Sequence, residues 1–117
     1  MFNSQKDLRK KLLGRKGERT VIAFMKKRGY KLVKSNYTTP FGEADAVMTK
    51  DGKLYFVEVK TRSNFLYGEP KDAVGYKKQE KYRKIAEYYM LKNGEVEIEF
   101  VVAEVVGEEI NLIFNAF

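Results

Sequence analysis

Between Asp7 and Arg28 apolar side chains recur at helical spacing, with Val21, Phe24, Met25 and Arg28 at i, i+3, i+4 and i+7 and Ile22 widening the stripe. This pattern predicts a first helix that stops at Gly29, with its early turns weakened by Gly14 and Gly17. Tyr30–Tyr37 then reads as a strand, and Thr38–Gly42, containing Pro40, as a loop. Glu43–Thr49 and Lys53–Lys60 are two strands joined at Asp51-Gly52, a strong short-range hairpin signal. Thr61–Lys71 reads as a loop, and Asp72–Leu91 as a second helix. Tyr82, Ile85, Ala86, Tyr89 and Met90 line one face of that helix, which ends at Asn93-Gly94. Val96–Val106 and Ile110–Phe114 complete the order αβββαββ. Strand, helix and strand over 53–106 have the length of a parallel crossover. The expected fold is therefore α/β, a mixed five-stranded sheet flanked by helices in one domain spanning residues 1–117.

The hairpin register carries the most chemistry. A two-residue turn at Asp51-Gly52 pairs Lys50 with Lys53, and counting back places Asp45 opposite Glu58 and Glu43 opposite Lys60. Facing Cβ atoms lie about 5 Å apart. Strand alternation adds Lys60 to the Glu58 face, with Leu54 and Phe56 behind it. Two like charges across a ladder are destabilising, and buried carboxylates need partners. Lys60 meets part of that need, and a divalent cation would meet it well. Glu18 precedes Val21, Ile22 and Met25 at helical spacing, so it points along the apolar stripe toward the same region. Three carboxylates and a lysine at a sheet end suit metal-assisted hydrolysis of a phosphodiester. The alternative for the same residues is a structural salt-bridge cluster.

Composition narrows this further. The 117 residues include no Cys and no His, which excludes thiol nucleophiles, imidazole bases and thiolate or imidazole zinc sites. Any metal site must be oxygen-rich, which favours Mg²⁺, Mn²⁺ or Ca²⁺. A cysteine-free chain is compatible with the cytosol, and a cytoplasmic location is the expectation. No apolar run approaches a membrane span and the charged first twenty residues show no signal peptide, so no membrane partner is expected. The net charge is +7, unevenly distributed. Residues 1–34 hold 12 basic and 2 acidic side chains, whereas 93–117 hold six Glu and no Lys or Arg. Two basic helices suggest a polyanion, most simply nucleic acid, against the alternative of a solvated lysine-rich surface. Arg62 beyond Lys60, and Lys77, Lys78 and Lys81 at helical spacing, are the candidate phosphate contacts. Tyr37 and Tyr67 are the candidates for base stacking, whereas Tyr82 and Tyr89 are assigned to the core.

Several short blocks occur together in order. They are Gly17-Glu18, Gly29-Tyr30, Asn36-Tyr37, Gly42-Glu43-Ala44-Asp45, Phe56-Val57-Glu58-Val59-Lys60-Thr61-Arg62, and Gly68-Glu69-Pro70 with Ala73-Val74 and Lys78-Gln79. Over nearly its whole length the chain resembles the YraN-like family of small bacterial proteins, which has the restriction-endonuclease-like fold and is distantly similar to archaeal Holliday-junction resolvases. The resemblance implies the PD-(D/E)xK nuclease pattern, carried by Asp45, Glu58 and Lys60 with Glu18 as the helix carboxylate. It also implies Mg²⁺ or Mn²⁺ as cofactor and DNA, including branched or structured DNA, as substrate. Two positions depart from the pattern: Ala44 stands before Asp45 in place of Pro, and Glu99-Phe100-Val101 replaces the family's Arg-Phe-Asp block. A non-catalytic nucleic-acid-binding protein of the same fold, accessory to recombination or repair, is the competing expectation. A protein-interaction module with a vestigial site is a third. Symmetric cutting of two strands needs two sites, for which a homodimer is the expected assembly.

Overall fold

The structure is a computed structural model that describes residues 4–62 and 75–117, with side chains from Gly14 onward. Its elements are α1 (Ser4–Lys26), β1 (Lys31–Thr39), β2 (Gly42–Lys50), β3 (Lys53–Arg62), α2 (Tyr76–Asn93), β4 (Ile98–Val106) and β5 (Glu109–Phe114). The strands form a single sheet in the order β1-β2-β3-β4-β5. All neighbouring pairs are antiparallel except β3 and β4, which are parallel and joined through α2. The mixed sheet and the order αβββαββ agree with the fold expected from the sequence.

Alternation along β3 explains why it is central. Val57 packs with Val21 and Met25 of α1, together with Ala46, Met48, Val101, Ala103 and Val105. Leu54 and Phe56 point the other way, against Tyr82, Ile85 and Ala86 of α2. The helices thus cover opposite faces of the sheet. Phe56, Val57, Met25 and Tyr82 are fully buried, and each large apolar side chain removed from water contributes about 1.5–3 kcal/mol. Turns are set by local chemistry. Asp51 and Gly52 both take positive φ, at 52° and 78°, as a type I′ hairpin requires. Thr39 closes the turn between β1 and β2 by donating to the Gly42 carbonyl at 2.8 Å and accepting from Phe41 N–H at 3.1 Å.

Some expected boundaries move. α1 runs unbroken through Gly14 and Gly17, and Gly17 has a packing reason: a Cβ there would lie 2.7 Å from Thr61 Oγ1. Thr61 and Arg62 belong to β3, not to a loop, because the parallel ladder continues through Arg62↔Val106. α2 begins at Tyr76 and extends to Asn93. The expected helical start at Asp72, the loop over 63–71 and the stacking candidate Tyr67 lie outside the described residues. Tyr37, the other stacking candidate, lies in β1 as the strand pattern predicts, half-buried against Phe56 and Tyr89 with ring centroids 6.4 and 6.0 Å away. Among the described residues no helix is long and apolar enough to cross a membrane.

Candidate functional site

The β2–β3 ladder runs from Lys50↔Lys53 to Ala46↔Val57, the register the Asp51-Gly52 turn predicts. The next facing positions are Asp45 and Glu58, and there the backbone pairing gives way to a side chain. Val59 N–H donates to Asp45 Oδ2 at 2.8 Å, so the amide that would have continued the ladder is satisfied by the carboxylate. Beyond this point β2 stays with β1. Glu43, expected opposite Lys60, instead pairs with Thr38 and accepts its hydroxyl at 3.3 Å. The divergence of β2 from β3 opens a cleft at Asp45.

Glu58 is 4% exposed, and a carboxylate so buried requires donors. α2 supplies two of them one helical turn apart. Lys78 Nζ makes an ion pair with Glu58 Oε1, and Tyr82 Oη donates to Glu58 Oε2 at 2.5 Å. Lys60 Nζ lies 3.8 Å from the same Oε1. On the other side of the cleft α1 brings Glu18 into a hydrogen bond with Asp45. The close approach of Gly17 to Thr61 on β3 lets the helix sit low enough for this contact. Asn36 adds a further tether. With its amide nitrogen turned toward the carboxylates, it donates to Glu43 Oε1 at 2.9 Å and to Glu18 Oε2 at 3.3 Å. Its φ of 49° is a left-handed conformation that Asn tolerates better than most residues.

Residues 17–112 match the model of a family described as "Uncharacterised protein family UPF0102". The chain belongs to this family. A UPF0102 protein of Alkaliphilus metalliredigens (strain QYMF) is 41% identical over 112 residues, covering 92% of this chain and 98% of the relative. One from Thermodesulfovibrio yellowstonii is 41% identical over 108 residues, covering 90% and 95%. A third, from Clostridioides difficile (strain 630), is 37% identical over 105 residues, covering 86% and 92%. The matched span contains every residue of the cluster: Glu18, Asn36, Asp45, Glu58, Lys60, Lys78 and Tyr82.

In this UPF0102 protein the cluster is electrostatically loaded. Burial, and then the charge of Glu58, push the Asp45 carboxyl up to about 7 despite the Val59 hydrogen bond. Burial also raises Glu18, helped by Glu43 and Glu58 and opposed by the Asp45 hydrogen bond. Lys60 is lowered by burial and by the neighbouring Lys78 ammonium. For Lys78, burial acts to lower the value, but the Glu58 hydrogen bond and charge outweigh it and the net shift is upward. Tyr82 is raised by burial and by Glu58 and Asp45, so its hydroxyl stays a donor. Among the described residues no group of three or more carboxylates converges closely enough to hold a metal ion alone.

The remaining candidates are distributed as follows. Arg62 Nε contacts Glu104 Oε2 at 2.7 Å, and both side chains are largely buried. Lys77 is exposed on α2. Lys81 lays its alkyl stem against Gly42, whose hypothetical Cβ would fall 2.5 Å from Lys81 Cδ. Glu99, at the departure from the family block, lies away from the cluster. It pairs with Lys53 Nζ at 2.5 Å and accepts from Asn115 N–H at 3.1 Å. Sequence reasoning missed Asn36, whose signal was an Asn within an otherwise regular strand pattern. It also missed the bond from Tyr82 to Glu58 and the place of Lys78 inside the cluster.

Proposed function

We propose that the cluster is a phosphodiester-hydrolysing centre and that the protein is a divalent-cation-dependent endonuclease acting on DNA, with branched or structured DNA within its range. The observation that carries this reading is the convergence of Asp45, Glu58 and Lys60 with Glu18 at the point where β2 leaves β3. The donor set is all oxygen, which suits Mg²⁺ or Mn²⁺. Mg²⁺ keeps several waters and takes one or two protein carboxylates together with substrate phosphate, so a complete protein cage is not needed. Asp45 and Glu58 would hold the cation, and Glu18 would complete its surroundings. Once bound, the cation supplies positive charge against the scissile phosphate and raises the acidity of water. Lys60, with its proton held less firmly than an ordinary lysine's, orients the attacking water or offsets phosphoryl charge. Lys78 and Tyr82 fix the Glu58 rotamer through both of its oxygens.

One observation favours a second reading. Glu58 already has Lys78 and Tyr82 as partners, as a structural ion-pair cluster would have. The protein would then bind nucleic acid without cutting it, as an accessory in recombination or repair. Isothermal titration of Mn²⁺ into the protein and into Glu58→Ala separates the two, followed by incubation with labelled duplex and junction DNA. Saturable binding lost in the variant, with cation-dependent cleavage abolished by Asp45→Ala, is the result expected of the nuclease. DNA binding without cleavage under any divalent cation establishes the second reading. Asp45→Ala removes negative charge, so its DNA affinity is expected to equal or exceed that of the parent.

A further inference from the structure

The basic side chains expected to meet phosphate lie on α2, but the structure commits several of them elsewhere. Lys78 is spent on Glu58 and the Lys81 stem is packed on Gly42, while Lys77 stays exposed. Arg62, at the end of β3, is paired with Glu104. The opposite side of the molecule differs. A groove of about 540 Å³ runs between α1 and β1, with Arg15, Arg19 and Lys26 along its helical wall. Ile22 and Leu32 form its floor, and Ser35 and Asn36 its β1 wall. Positions 15, 19 and 26 fall within about 40° of one another around a helix of 3.6 residues per turn, so the three cations form one row. All three are exposed. Among the described residues, no carboxylate forms an ion pair with Arg19 or Lys26.

The groove is also continuous with the carboxylate cluster. Arg15, Glu18 and Asn36 line both it and a second groove of about 560 Å³ that reaches Glu43. Glu18 in turn is hydrogen-bonded to Asp45. From Arg15 to Lys26 the helix rises about 16 Å, the length of roughly five phosphate steps on one strand of a duplex. A row of cations over an apolar floor, of which Arg19 and Lys26 carry no ion pair among the described residues, ends at acidic residues and is complementary to a sugar–phosphate backbone delivered to them.

We infer that the α1–β1 groove, with Arg19 and Lys26 as its phosphate contacts, is the track along which a DNA strand enters the carboxylate cluster. This rests on the reading of the cluster as a nucleic-acid site. The test is fluorescence anisotropy of a fluorescein-labelled DNA oligonucleotide in EDTA, where no cleavage intervenes, at several salt concentrations. Arg19→Glu/Lys26→Glu is compared with Lys84→Glu/Lys92→Glu, which changes the net charge equally but on α2, and with the charge-conserving Arg19→Lys/Lys26→Arg. Circular dichroism confirms that each variant is folded. The groove reversal is expected to weaken binding about tenfold or more and to reduce the salt slope by about two. The charge-conserving variant should bind as the parent does, and the α2 reversal should lose no more than about threefold through the general field. Equal losses from both reversals would show that total charge alone governs binding and would overturn the inference, as would absence of binding by the parent. Mn²⁺ titration of the same groove variant keeps the two readings apart. Saturable Mn²⁺ binding with no selective loss of DNA affinity in the groove variant sinks the track alone, whereas no Mn²⁺ binding by either protein together with a selective loss of DNA affinity in that variant sinks only the nuclease.

Discussion

Replacing Asp45 by Asn should make the cation-free protein more stable at mildly alkaline pH, at the cost of the cation site. Asp45 has an ordinary value of 3.8 and is pushed up to about 7 by burial and by Glu58. Between those values the native state holds a proton that the unfolded chain has released. Stability therefore falls as pH rises through that window, and the full cost is present above about pH 7. Roughly three units at about 1.4 kcal/mol each set an upper limit of about 4 kcal/mol. Glu18 is hydrogen-bonded to Asp45 and also holds its proton more tightly, so the pair shares the relief and about half that limit falls to Asp45 alone. Asn keeps an oxygen for Val59 N–H and adds an amide that can donate to Glu18, so the geometry survives. Urea unfolding in EDTA, followed by circular dichroism at pH 5 and pH 8, measures the effect. A gain of about 2 kcal/mol at pH 8 corresponds to a midpoint shift of about 1–2 M for a domain of this size. The gain should shrink toward pH 5. Mn²⁺ at pH 8 should raise the midpoint of the parent but not of the variant. A variant less stable than the parent at pH 8, or one with the same pH slope, would refute the claim that Asp45 is held against its charge.

Lys78→Ala should lower cation-free stability by about 1–3 kcal/mol, because it leaves the buried Glu58 with one strong donor fewer. It should also tighten Mn²⁺ binding, since a cation no longer competes with the ammonium; weaker Mn²⁺ binding by isothermal titration would count against Glu58 as a ligand. Arg62→Ala strips Glu104 of its partner and should cost about 3 kcal/mol in urea unfolding. An unchanged midpoint with weakened DNA binding would instead assign Arg62 to phosphate.

What the sequence made legible followed from rules with little freedom. A two-residue turn fixes a register, so Asp51-Gly52 was enough to bring Asp45 and Glu58, each six residues from the turn, to facing positions before any contact is considered. Glu18 was legible because it continued an apolar stripe. The pattern was silent where tertiary contacts decide. Gly14 and Gly17 read as weak points in a helix, yet Gly17 is needed so that α1 can approach Thr61. On a helical wheel Lys78 is a solvent-facing lysine and Tyr82 a core aromatic. Only the packing of α2 on β3 shows that both end on the oxygens of Glu58. Asn36 and Glu43 were invisible as partners for the same reason: the ladder arithmetic assigned Glu43 to Lys60, and nothing local revealed that β2 would keep its neighbour β1 and abandon β3.

That separation is what allows a polar cleft inside an otherwise apolar sheet. A strand that loses a neighbour exposes unpaired N–H and C=O groups, which are costly when buried. Here β3 loses β2 after Val57 but keeps β4 through Arg62↔Val106, so its backbone remains held on one side while the other opens. The freed Val59 N–H is taken by Asp45, which makes the acidic residue part of the sheet's own hydrogen bonding and fixes its orientation. Opposite faces then contribute opposite charge: α1 adds the carboxylate of Glu18, while α2 adds the ammonium of Lys78 and the hydroxyl of Tyr82. Glu58 is satisfied on the α2 side, whereas Asp45, lying toward Glu18, has the Val59 N–H as a donor but is still pushed up to about 7 by burial and by Glu58. The imbalance is therefore directional. Positive charge arriving from the α1 side, where the groove lies, meets the carboxylate that most needs it.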